Sequence, residues 1–397
     1  MQLNQRRKIA VVSSSRADYG HLYWILRELQ QAEDVDLRII ATASHLSERF
    51  GQTLRQFRQD GFEVEATTEC LLDSDTDTGM AKTIGIAVLG LSDLLSRMRP
   101  DLLLLIADRY EMLAPASVAL ALRIPMAHIE GGEISEGAVD DAVRNALTKM
   151  AHLHFTSTTE ARRRVMALGE AGWRVHRAGA PSLDHLLRSE LPDRTQLEQT
   201  LGMALTPPPC VVSCHPVTLL PNPDSEVDAL FDALETLQQP IVFTFPNADA
   251  GHEAIIRRAE AFCGKRQHAR LYTNLGSRDY WALLKQAAFM VGNSSSGIME
   301  SPSLALPCVN VGQRQQGRER ARNIIDAPAE REAIIQAMQQ AASSQFRDSL
   351  QGMSNPYGDG TASQVIARVL RETPLDQRLL MKQALPLQAD QAAFAHD

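Results

Sequence analysis

Short unbroken apolar runs alternate along this chain with longer stretches in which apolar positions recur every three or four residues, the two periods of buried strands and amphipathic helices. Residues 8–12 (KIAVV) predict a first strand that feeds, through the polar loop 13–15, into an amphipathic helix. Residues 37–41 predict a second strand, with another helix starting at 50–53. The run 102–106 (LLLLI) is too short for a helix and follows Pro100, so it reads as a buried parallel strand. Residues 125–129 and 153–157 read likewise, with a helix over 140–150 between them. This alternation predicts an α/β fold with a doubly wound parallel sheet. It resumes with strands at 211–214, 241–245 and 289–292 and one more before Gln313, so the chain divides into two similar halves without residue-level repetition. The small-residue stretch 178–182 and the polar stretch after Leu187 mark a hinge, giving expected domains 1–187 and 188–365 and a final helical segment 366–397.

Parallel strands of one sheet point their carboxyl ends the same way, and ligands of open α/β sheets bind there. The run 102–106 delivers Asp108, Arg109 and Glu111 to that edge, and 125–129 delivers Glu130, Gly131, Gly132 and Glu133. On the helix that follows, Asp140, Asp141, Arg144 and Asn145 share a face. Each of these acids taken singly reads equally well as helix capping. Together they predict a polar crevice, in which Gly131 and Gly132 let backbone approach a ligand. In the first loop, Ser13 to Ser15 allow the same approach and Arg16 suits a phosphate; a capping serine cluster with a solvated arginine is the plainer alternative. The acidic loop 70–80 (CLLDSDTDTGM) reads as mobile near the ligand or merely solvated.

In the second half, His215 lies at a strand end before Pro216, where an imidazole titrating near neutrality can move a proton. Residues 246–251 (PNADAG), with Asn247, end the next strand. Ser294, Ser295, Ser296 and Gly297 then open a helix and predict an anion-binding cup, with Glu300 placed for ribose hydroxyls. The alternative is a serine N-cap, but Arg314 and Arg318 come to the same edge after one more strand and favour phosphate.

Composition narrows the classes. A chain of 397 residues implies two or three domains, and 44% hydrophobic with 22% charged residues describes a globular protein. The formal net charge of -8 argues against a nucleic-acid partner. Five scattered cysteines without paired metal spacing fit a reducing compartment. A polar, basic residue 1–8 segment followed by a short apolar run predicts no signal peptide, and no stretch of membrane-spanning length is expected, so the expected location is the cytoplasm.

The motifs SRADYG (15–20), ADRYEMLA (107–114), HIEGGE (128–133), DD..R with TKMAHLH (140–154), HPVT (215–218), PNADAG, GNSSSG (292–297) and RQ.GR (314–318) fall in order along the chain. Together they resemble the hydrolysing UDP-N-acetylglucosamine 2-epimerases of sialic-acid and related nonulosonic-acid synthesis. That resemblance implies two Rossmann-like domains in a glycosyltransferase-B-like arrangement with the ligand in the interdomain cleft, and the final segment 366–397 packed on the first domain. It implies elimination of UDP from UDP-N-acetylglucosamine through 2-acetamidoglucal, then hydration to N-acetylmannosamine, with no metal or nicotinamide cofactor and a homodimeric or homotetrameric assembly. Carried onto this sequence, it makes Asp108, Glu130 and His215 the proton-handling candidates, with Glu133, Asp140 and Arg144 in the same catalytic set. Arg16, Asn247, Ser294, Ser295, Ser296, Gly297, Glu300, Arg314 and Arg318 become the nucleotide-binding set. Ala107 stands where the family usually has Gly, Asn145 where it often has His, Ser13-Ser14 where Thr-Gly is frequent, and Glu130 is one of two family alternatives. The Ala107 methyl is expected to crowd the crevice, and some relatives act on a nucleotide-linked 2,4-diacetamido-2,4,6-trideoxy sugar instead. A retaining glycosyltransferase, a non-hydrolysing epimerase and a non-catalytic sensor are the remaining readings.

Overall fold

A computed structural model describes residues 6–219 and 223–384. The first sheet contains β1 (Arg7–Ser13), β2 (Val35–Thr42), β3 (Val64–Thr68), β4 (Leu102–Ile106), β5 (Met126–Ile129), β6 (Leu153–Thr156) and β7 (Val175–Arg177). The second contains β8 (Cys210–Ser213), β9 (Ile241–Thr244), β10 (Ala269–Tyr272), β11 (Phe289–Gly292), β12 (Cys308–Val311) and β13 (Ile324–Ala327). Their orders are β3-β2-β1-β4-β5-β6-β7 and β10-β9-β8-β11-β12-β13, and every neighbouring pair is parallel. Both orders reverse direction once, between β1 and β4 and between β8 and β11. Those are the switch points at which helices on opposite faces diverge and leave a crevice.

The inner strands read as apolar runs because helices cover both faces. Leu102, Leu104 and Ile106 of β4 face one core, with Leu22, Ile25, Leu26 and Leu29 of helix Arg16–Gln31. Leu103 and Leu105 face the other, with Leu91, Leu95 and Leu147. The second sheet repeats this pattern, Val212 lying in one core and Val211 in the other. The four strands that the apolar pattern does not single out, β3, β7, β10 and β13, are the four sheet edges.

Helix Ala362–Glu372 returns to the first core through Ile366 and Leu370, and Leu379 lies there too. Asp184 accepts the backbone N–H groups of Ala362 and Ser363 at 3.0 and 2.9 Å, fixing that return. The rest of the C-terminal segment, 385–397, and the start of the basic N-terminus, 1–5, lie outside the described residues. Against expectation, one helix is long and apolar enough by length and composition to cross a membrane: Asp77–Met98, with 22 residues and a mean hydropathy of 1.3. Its Ala87, Leu91 and Leu95 pack against the first sheet, and its apolar excess comes from Ile86 and Leu89 on the outer face.

Candidate active site

The two switch points face each other across a cavity of about 470 Å³. From the β1 end, Arg16 lines it; from the β8 and β9 ends, His215 and Asn247; from the β11 end, Ser294, Ser295, Ser296 and Glu300. The three serines are the half-buried members of an otherwise buried run; Ser296 Oγ is bonded to Tyr280 and Glu300, and Ser294 Oγ caps the helix by accepting the Ser296 N–H at 3.3 Å. Arg16 donates to the backbone carbonyls of Phe245 and, at 3.4 Å, Pro246. Among the described residues no carboxylate lies within ion-pair distance of it. Burial and the neighbouring Arg109 push its pKa down to about 10, so Arg16 is still charged at neutral pH without a paired carboxylate, although Asp60, Asp279 and Glu300 also line the cavity.

His215 is fixed by the switch point itself. Asn293 accepts the His215 backbone N–H at 2.7 Å and donates to its carbonyl at 2.9 Å. The Asn247 N–H donates to Nδ1 at 3.2 Å, which leaves the imidazole proton on Nε2. Burial, with Arg314, Arg16 and Arg109 nearby, holds its pKa well below the usual value. His215 is therefore a neutral imidazole at neutral pH, in place of the titrating group expected from sequence.

Beyond the cavity lies the acidic cluster, and its charges are already matched. Arg144, almost wholly buried, donates to Asp108, to the Glu133 carbonyl at 2.9 Å and to Ser135 Oγ at 3.0 Å. Arg314, from the second half, pairs with Asp140 at 3.0 Å and donates to the Asn293 carbonyl at 3.2 Å. Arg318 reaches the Ile134 carbonyl at 3.1 Å and lies 3.8 Å from Glu133. Glu130 takes His21 Nδ1 at 2.7 Å. Arg109 spans the halves, from Glu111 to Asp249, at 2.9 Å each.

These partners push the carboxylates apart in acidity. Burial raises Asp108, but Arg144, Arg318 and Arg314 outweigh it and hold the group below the usual range. Burial likewise raises Glu130, and His21 reverses the sign. Asp140 is pushed up to about 7 by burial and by Asp108, with Arg314 offsetting only part. Burial also pushes Glu133 up. Neighbouring carboxylates with opposed shifts are the arrangement that lets one act as base and another as acid near neutrality.

Several expected residues stand elsewhere. Arg314, Arg318 and Gly297 do not line the cavity: the two arginines are held among the acids, and a Cβ on Gly297 would meet Cys308 Sγ at 2.5 Å, so packing demands that glycine. The helix behind the serines, Ser295–Met299, has five residues and a correspondingly small dipole, leaving anion attraction mainly to Arg16. Gly131 and Gly132 do not admit a ligand either; a Cβ would meet Thr148 Oγ1 at 2.8 Å and the Ala161 carbonyl at 2.2 Å. Ser14 and Ser15 follow the plainer reading, donating to Asp18 in a capping box. Ala107 has φ 57°, a left-handed conformation that glycine adopts without cost, so its methyl bears on the backbone before it bears on the crevice. Asn145 is bound to Asp141 at 3.1 Å.

Two residues carry more than their sequence signal. Asp75, in the acidic loop 70–80, accepts the N–H groups of Gly251 and His252 at 2.7 and 3.1 Å and so ties the halves together. His21, one residue past the SRADYG motif, lines the cavity and reaches the acids. Nothing local marks either of them; the contacts come from chain segments far away in sequence.

The family sequence model described as UDP-N-acetylglucosamine 2-epimerase matches residues 27–371. The chain belongs to this family. Within it, the chain is 38% identical over 345 residues to a Campylobacter jejuni protein named GDP/UDP-N,N'-diacetylbacillosamine 2-epimerase (hydrolyzing), covering 86% of this chain and 89% of that one. It is 34% identical over 383 residues to the Legionella pneumophila UDP-N,N'-diacetylbacillosamine 2-epimerase (hydrolyzing), covering 95% and 98%. Among solved structures, the Neisseria meningitidis UDP-GlcNAc 2-epimerase bound to UDP-GlcNAc superposes with a TM-score of 0.77 at 17% identity, covering 92% of this chain and all of that one. That likeness gives the family its fold here: two Rossmann-like domains in a glycosyltransferase-B-like arrangement.

Proposed function

We propose that this family member is a hydrolysing 2-epimerase acting on a UDP-linked 2,4-diacetamido-2,4,6-trideoxy hexose, releasing UDP and the free sugar inverted at carbon 2. One observation carries the reaction class: carboxylates with opposed acidities, Asp108 and Glu130 against Asp140 and Glu133, cluster beyond a cavity to which the His21–Glu130 pair links them and whose cation Arg16 lacks a carboxylate partner. The two diacetylbacillosamine relatives support this sugar over UDP-N-acetylglucosamine, the substrate expected from sequence.

In this reading Arg16 and the hydroxyls of Ser294 and Ser295 hold the diphosphate, while Asn247 and Glu300 meet the nucleoside. An ionised carboxylate, Asp108 or Glu130, takes the carbon 2 proton as the anomeric C–O bond breaks, and its electron pair leaves on UDP. The resulting glycal adds water: hydroxide joins carbon 1 and a proton from the opposite face joins carbon 2. Asp140, protonated near neutrality, supplies an acid, and Arg144 keeps Asp108 ionised and oriented. His215 Nε2–H donates a hydrogen bond in the cavity. The same proposal includes a homodimer or homotetramer, which analytical ultracentrifugation reads directly.

The test is proton NMR in deuterium oxide with both UDP sugars in separate tubes. Free UDP plus a 2-epimerised diacetamido sugar carrying deuterium at carbon 2 is expected. Faster turnover of UDP-N-acetylglucosamine restores the first expectation, and a product that keeps UDP attached removes the hydrolytic reading.

A further inference from the structure

We infer that His21 is a positioning residue for this reaction: its imidazole, set between Glu130 and Glu300, holds the Glu130 carboxylate ionised and in place where the nucleotide cavity meets the acidic cluster. The inference rests on the proposed 2-epimerase reading and adds to it a group outside the motifs that carry the family resemblance.

The geometry comes from three elements. Helix Arg16–Gln31 starts at the β1 end, with Arg16 in its first turn and His21 further along, both lining the cavity. Glu130 ends β5 with φ 66°, a left-handed conformation that costs a non-glycine residue about 1–2 kcal/mol. From there its carboxylate reaches His21 Nδ1 at 2.7 Å. Glu300, beyond β11 in the other half, comes within 4.0 Å of Nε2. One imidazole thus faces a carboxylate from each half of the molecule.

The electrostatics explain what the pair does. The Glu130 side chain is only 8% exposed, and both burial and the charge of Asp108 favour its neutral form. His21 supplies the main opposing interaction, with Arg318 a weaker one. In return Glu130, Glu300 and Asp18 lift His21 to about 9 against the penalty of burial, so the imidazole is charged at neutral pH. Of the other groups near it, His185 stays neutral, pushed down to about 4 by burial and by His21. Here the His21 side chain is 21% exposed and opens on the cavity.

Of the two ionised carboxylates Glu130 is taken as the base; without His21 it holds its proton up to a higher pH and serves as a base only above it. In His21→Ala, kcat for the preferred UDP sugar is expected to fall about tenfold on the acid side of its pH profile and by less at pH 7. The acid limb of the kcat profile should move up by about one pH unit or more, since Glu130 then needs a higher pH to ionise. UDP affinity by calorimetry should change little, and His21→Lys, which restores a cation, should recover part of kcat. An unmoved acid limb in a folded His21→Ala variant, or equal kcat in the Ala and Lys variants, overturns the inference. If the wild-type protein turns over neither sugar, the proposed reaction is what fails. The pair is then judged by long-range proton–nitrogen NMR: His21 titrating near 9 in the wild type and distinctly lower in Glu130→Gln supports it, and titration near 6.5 in both overturns it.

Discussion

The two ends of the cleft are built on opposite principles. At the proposed nucleotide end, hydroxyls, backbone groups, Glu300 and Arg16 stand around an open volume, with no carboxylate paired to Arg16 among the described residues. At the acidic end, Asp108, Asp140 and Glu130 are each occupied by Arg144, Arg314 and His21 in a nearly closed network. In the proposed reading the first is an anion receptor, because a half-buried cation without a carboxylate partner gains most from an incoming diphosphate. The second is a set of carboxylates tuned apart, because its cations hold Asp108 and Glu130 down while burial and Asp108 push Asp140 up. Its partners also come from both halves, so bringing the halves together assembles the chemistry, whereas the cation of the receptor end comes from a single loop.

The largest expected break in this comparison is Asp108→Asn. Turnover should fall by about 10²- to 10⁴-fold, the usual worth of a general acid or base, while UDP affinity stays nearly unchanged. Comparable losses in both, measured on folded protein, would merge the two ends into one. Next comes the pair Arg16→Ala and Arg314→Ala. Removing Arg16 should weaken UDP binding by about 1.5–3 kcal/mol, the worth of hydrogen bonds to a charged group. Arg314→Ala, which sequence alone assigned a similar effect, should cost less affinity and more stability, since it leaves Asp140 buried without its cation. Calorimetry beside thermal melts separates these effects, and equal losses of affinity would return Arg314 to the nucleotide.

A pH experiment sharpens the acidic end. Asp140 binds its proton more tightly when folded, at about 7, than at its ordinary value of 3.8, so ionising it opposes folding. Stability should therefore drain from the wild type as pH rises from about 4 to 7, and Asp140→Asn should lack that component. Melting curves of both proteins across this range should converge toward acid and diverge toward neutrality; parallel curves would mean that Asp140 ionises normally. The smallest effect expected is Ala107→Gly. Relief of the left-handed alanine should outweigh the added chain entropy by under about 1 kcal/mol, visible as a small rise in melting temperature. A clear loss would show that the methyl packs usefully.

Much of the architecture was legible because inner parallel strands have no polar face. The runs 102–106 and 289–292 coincide with β4 and β11 residue for residue. Edge strands such as β3 (VEATT), half exposed, leave no such run. The same logic places Asp108, Glu130, His215 and the serines at strand ends near a crevice, since connectivity alone decides which end of a parallel strand carries them.

What the sequence determined by itself is therefore the fold, the family and the side chains available at the crevice, because these follow from local periodicity and motif order. Tertiary structure alone decided how those side chains are used. It set Arg314 and Arg318 among the acids, turned His215 into a fixed neutral donor, made a latch of Asp75 and brought His21 to Glu130 from 109 positions away. Charge state depends on distance and burial, and neither can be read along a chain.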